Sequence, residues 1–179
     1  MNAKLDDDVL AYAAEVFQLA RNGDAEVLDR LLGQGLPCDL RNDKGDSLLM
    51  LAGYNGNEPA VEVLLRHGAD ANLANDRVQT PLSAVAFAGH MGIARRLIAA
   101  GALTSAAAAG GKSALMIAAM FDRVEMAELL IANAADPAER DANNMTALDL
   151  ARISGAKRVA AILEALGQGP TDTIESSST

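Results

Sequence analysis

From Ser47 onward, short apolar runs alternate with polar, glycine-punctuated breaks, and the alternation keeps time. "GDSLLMLAGYNG", "VQTPLSAVAFAG", "GKSALMIAAMFD" and "NMTALDLARISG" follow one template. Their hydroxyl residues Ser47, Thr80, Ser113 and Thr146 lie 33 residues apart, as do Leu49, Leu82, Leu115 and Leu148. Ala52, Val85, Ala118 and Ala151 keep the same step, and so do Leu64, Leu97, Leu130 and Leu163. Stepping back from Gly56 and Gly68 lands on Gly23 and Gly35, so "ARNGDAEVLDRLLGQG" is a first, more divergent copy. A fixed step held over five units marks a repeat array.

Each unit reads as two short helices and a turn. The Ser or Thr opens the first helix, where its oxygen satisfies free N–H groups, and Pro81 takes a first-turn position that needs no N–H. Gly23, Gly56, Gly89 and Gly155 end first helices by adopting the left-handed conformation. The second helix carries an apolar stripe, as in Val61, Leu64 and Leu65, with Pro59 in its first turn and a stop at "HGAD". The stretches between, such as "ANLANDRVQ" and "PAERDANNM", are rich in Asn and Asp and predict hairpin-like turns. Helices this short cannot bury their own apolar faces, so the units must stack. The pattern predicts an all-α solenoid of helix-turn-helix units with hairpin-like loops.

The 33-residue period, Thr80-Pro81-Leu82, Gly89-His90 and "VEVLLRHGADAN" at 61–72 resemble the ankyrin repeat family. The resemblance covers about 9–167 as one domain, with repeats at 9–41, 42–74, 75–107 and 108–140 and a shortened capping repeat at 141–167. Among family members, this chain looks like the small stand-alone bacterial forms. These include regulators, toxin-neutralising partners and stress-associated proteins. One departure is clear: the family's His after Thr-Pro-Leu is Met50, Ser83, Met116 and Asp149 here, so its hydroxyl–imidazole bracing is lost. The ends differ from the middle. Residues 1–8 form an N-terminal segment, 5–22 read as one longer helix with Asp6, Asp7 and Asp8 near its positive end, and the Ser/Thr-rich 168–179 reads as a disordered tail.

Composition agrees. The chain of 179 residues is half apolar with no Trp and only two Tyr and three Phe, which favours helices and thin, closely spaced layers. A formal charge of -9 argues against a phosphate backbone as ligand, so no nucleic acid is expected, and the overall field would attract a basic protein surface. Cys38 is the only cysteine, there is no basic-then-apolar leader, and no apolar run is long enough to span a bilayer. A cytoplasmic monomer with no membrane role is expected.

Candidate chemistry is sparse. "AAAAGGKS" at 106–113 matches a loose P-loop pattern, which would make Lys112 part of a nucleotide-binding enzyme. Yet a P-loop needs a preceding strand, whereas "GIARRLIAAGALTS" reads as helix, and Ser113 already falls on the repeat grid. His90 reads as structural after its helix-ending glycine, and His67 as a solvated surface residue. Two isolated histidines and one cysteine give no zinc spacing, "DPAERDANN" lacks a calcium loop's ligand order, and no serine sits in a strand-to-helix elbow. No catalytic residue, cofactor or metal is expected.

The family resemblance implies a concave face lined by the hairpin tips and the far ends of the first helices, where a partner protein binds. On this sequence that strip is Tyr54, Phe87, Met120 and Ile153, with Asn55, Ala88, Phe121 and Ser154 beside it. The tips add Asp43, Lys44, Asp46, Arg77, Gln79 and Lys112 as a polar rim. Two readings of the strip stand open: interface anchors, or side chains half-buried against the next repeat.

Overall fold

The computed structural model describes residues 2–105 and 111–167, and the side chains from Ala11 onward. Among these residues ten helices form and no strand, only an isolated bridge between Arg41 and Ser47. The expected disordered tail, 168–179, lies outside the described residues, as do residues 106–110 of the P-loop-like stretch.

The helices are α1 (Asn2–Asn22), α2 (Ala25–Gly33), α3 (Leu48–Tyr54), α4 (Glu58–Arg66), α5 (Pro81–Ala88), α6 (Met91–Ala99), α7 (Ala114–Met120), α8 (Val124–Ala132), α9 (Ala147–Ser154) and α10 (Lys157–Gly167). The odd-numbered helices pack each on the next as an inner row, and the even-numbered ones form the outer row. Helix α1 starts earlier than the sequence suggests and runs unbroken past residue 8, because no Gly or Pro interrupts Asn2–Asn22.

Local chemistry builds the inner row. Ser47 and Ser113 each accept a hydrogen bond from the N–H of the methionine three residues on. Thr80 and Thr146 do better. Their partners Ser83 and Asp149 stand where the family has His, and each reaches back to the Thr backbone N–H, closing a capping box at 3.0 Å. The lost imidazole bracing is therefore replaced in two repeats and absent in two.

The core follows the grid. Leu49, Leu82, Leu115, Ala52, Val85, Ala118 and Ala151 are buried, and Leu64, Leu97, Leu130 and Leu163 fill the space between the two rows. Leu148, the equivalent of Leu49 in the closing repeat, is half-buried. Gly23, Gly56, Gly89 and Gly155 end first helices at φ between 74° and 87°. Asp122 occupies the equivalent place in the fourth repeat at φ 51°. It makes itself useful there: its carboxylate accepts from the N–H groups of Arg158 and Val159 and from the Arg158 guanidinium, at 2.8–3.1 Å. No described helix is long and apolar enough to cross a membrane.

Candidate protein-binding surface

The inner row ends in a ladder of rings. Tyr54 and Phe87 lie at the C-terminal ends of α3 and α5, with ring centroids 6.0 Å apart and planes 10° from parallel. Phe87 then meets Phe121 edge-to-face at 4.7 Å and 87°. The three rings are 48%, 40% and 45% exposed, and Ile153 beyond them is 74% exposed. These are not core residues. In the fourth repeat the strip slips by one position: Phe121 continues the ladder, and Met120 turns half-buried against the core. A rigid ring gains an edge-to-face contact with Phe87 that a thioether cannot make, while Met fills an irregular gap.

The C-terminal ends of α1, α3 and α5 are clamped from the following repeat. Asn57 donates to the carbonyls of Ala20 and Arg21, His90 Nε2 lies 3.2 Å from the Tyr54 carbonyl, and Arg123 donates to the Phe87 carbonyl at 3.4 Å. These three residues occupy one grid position, directly after the helix-ending residue, and each engages the negative end of the preceding inner helix. At Gly56 the His90 ring leaves no room for a side chain, since a Cβ would lie 2.8 Å from it.

Opposite the rings stand the hairpin tips, held by an Asn or Asp that also recurs at 33-residue spacing. The Asn42 side-chain oxygen accepts from the N–H groups of Lys44 and Asp46, both at 2.9 Å. Asn75 does the same for Arg77 and Gln79, and Asp141 for Asn143 and Met145. Adjacent tips are tied together as well. Asn75 Nδ2 donates to Asp46 at 2.7 Å, and Lys112 Nζ forms an ion pair with buried Asp141 at 3.2 Å. Gln79 lies one period after Asp46 and one before Lys112. Gln79 accepts instead from its own Asn75, at 3.1 Å.

Between tips and rings runs a groove of about 570 Å³, floored by Met50, Leu51 and Ala84. It brings together Tyr54, Asn55, Phe87, Asp43, Lys44, Asp46, Arg77 and Gln79 of the expected set, and leaves out Met120, Phe121 and Lys112. Asp43, Lys44 and Arg77 are exposed, and so is Asn55, whose amide caps Leu51. Asp46 is 9% exposed, with both carboxylate oxygens held by the Asn42 and Asn75 amides. It supports the groove wall and is not an open rim residue. Arg21 lines the same groove and was missed. The grid held the signal, because Arg21 lies one period before Tyr54.

Elsewhere several titratable groups are committed to neighbours. On the outer row, the His67 ring and then the Arg66 guanidinium hold the Asp29 carboxyl below the usual aspartate range. His67 lies 2.6 Å from Asp29, so it is an inter-repeat tie and not a free solvated residue. Arg158, then the Val159 amide, lowers Asp122. Burial pushes the Asp141 carboxyl up, but the amides of Met145 and Asn143 together with the Lys112 ammonium bring it below the ordinary range. Lys112 thus faces a buried carboxylate, and the helix α6 lies where a P-loop needs its strand.

Comparison with known proteins points one way. The family model for ankyrin repeats (3 copies) matches residues 10–108 and again 84–173. A stretch of 52 residues is 52% identical to a curated ankyrin repeat protein of Pseudomonas aeruginosa, covering 29% of this chain and 30% of that relative's length.

Proposed function

The chain belongs to the ankyrin repeat family, and from that premise we propose that it is a non-enzymatic module that holds one partner protein in its concave groove. Ankyrin repeats are generally protein–protein interaction modules. The observation that carries the reading here is the exposed ring ladder Tyr54–Phe87–Phe121 beside the groove. Exposed rings that brace one another lose little freedom on binding and offer large contact area, which is how interface anchors act. The tips opposite are fixed by their Asn and Asp bonds, so the surface is ready-made. In this reading the protein works as a cytoplasmic monomer, needs no cofactor, and acts as a regulator, inhibitor or adaptor through what it holds.

The test is affinity capture from the native cell with mass spectrometry, run beside a variant carrying Tyr54→Ser, Phe87→Ser and Phe121→Ser. The variant is expected to keep its helical spectrum and cooperative melting while losing the main captured protein. A variant that unfolds, or that captures the same protein as well as the parent, overturns the proposal.

A further inference from the structure

Taking the groove as the partner site, we infer that its occupant is an acidic, extended peptide segment of the partner, carrying apolar side chains two residues apart. The protein as a whole has 15 cationic against 24 anionic side chains, so the groove's composition is unexpected. Six of the described cations are paired within the chain: Arg41 with Asp76, Arg66 with Asp29, Arg96 with Glu58, Lys112 with Asp141, Arg152 with Glu164 and Arg158 with Asp122. Among the described residues Arg21, Lys44 and Arg77 form no ion pair, and all three line the one groove. Arg30, Arg95, Arg123, Arg140 and Lys157 form no ion pair either, but Arg123 and Arg140 donate to the carbonyls of Phe87 and Asn144, and the other three are scattered one to a helix along the outer row.

Against the three cations the groove sets Asp43, which is open, and Asp46, whose oxygens the Asn42 and Asn75 amides occupy. The local balance is therefore reversed relative to the surface around it. A partner segment with carboxylates gains charge-assisted bonds from Arg21 and Arg77 that none of the described residues takes up. The ring spacing sets the backbone. In an extended chain, side chains on one face recur every two residues, about 6.6 Å apart, against the 6.0 Å between the Tyr54 and Phe87 centroids. Apolar side chains at alternate positions each meet a ring, and carboxylates between or beside them reach the tips. A single-stranded nucleic acid would also stack on rings, but it brings a phosphate at every step toward Asp43, Asp46 and a chain of net charge -9.

Fluorescence anisotropy on the full chain decides the matter, using three labelled probes: a short peptide alternating Glu with Leu, its Lys-for-Glu counterpart, and oligothymidylate. The Glu peptide is expected to bind, to weaken with added salt, and to lose at least about tenfold in affinity in a Lys44→Glu, Arg77→Glu variant. Both substituted side chains are exposed, and circular dichroism checks that the variant stays folded. No binding of the Glu peptide, no effect of the charge reversal, or a preference for oligothymidylate overturns the inference. A Lys peptide that binds better, and is lost in the Tyr54→Ser, Phe87→Ser variant, also overturns it while leaving the groove itself as the partner site.

Discussion

The two faces of the stack use their side chains in opposite ways. On the outer row, charges from successive repeats meet: Asp29 takes Arg66 and His67, and Arg96 takes Glu58 and Glu62. On the groove side, three rings stay 40–48% exposed, and Arg21, Lys44 and Arg77 have no ionic partner among the described residues. A face whose groups already satisfy one another holds the repeats together. A face whose groups remain unsatisfied, on a rigid support, is available to something else.

The support itself is where that contrast is easiest to break. Asn75 is 5% exposed, fixes its own tip through Arg77 and Gln79, and supplies an amide to buried Asp46. Asn75→Ala removes these bonds and leaves the Asp46 carboxylate short of a donor, which costs about 3 kcal/mol. Urea unfolding is expected to show that loss, and an unchanged midpoint contradicts the tip's role. Next comes the ring at the centre of the ladder. Phe87→Ala should weaken the captured partner by about 2 kcal/mol, roughly thirtyfold, in a calorimetric titration. Because Phe87 is 40% exposed, the melting temperature should hardly move; a large drop would make the ladder a packing device.

Smaller effects sharpen the comparison. Val78 sits in the second hairpin tip at φ 60°, where a β-branched side chain is strained and the equivalent tip residues are Gly45 and Asn144. Val78→Gly is expected to stabilise by about 1 kcal/mol on thermal melting without touching any ring. The outer ties predict a modest acid sensitivity. Asp29 and Asp122 have carboxyls lowered by their cationic neighbours, so their contribution is present above the ordinary aspartate pKa and is lost as pH falls through the lowered values. Melting temperature should fall from about pH 5 downward, and Arg158→Ala should flatten part of that fall.

Much of this was written in the chain. The 33-residue step fixed the helices, their Ser or Thr caps and the leucine core, because each depends on residues near in sequence or one period away. The ring strip was legible for the same reason at Tyr54 and Phe87. It slipped at Met120 and Phe121, where the helix-ending glycine is replaced by Asp122 and the choice between thioether and ring turns on contact with Phe87. Asp46 and Lys112 look like open tip charges in sequence. Only the approach of Asn75 and Asp141 from the next tip reveals them as internal. The positive groove is the least legible feature, since a net charge of -9 says nothing about which cations have found partners.

Amide hydrogen–deuterium exchange on the complex with the captured partner tests the division of labour most directly. Added protection should fall on the tips at 42–46 and 75–79 and on the ends of α3 and α5, with α4 and α6 exchanging as they do in the free protein. Protection centred on α4 and α6, with the tips and ring-bearing ends unchanged, would contradict the account.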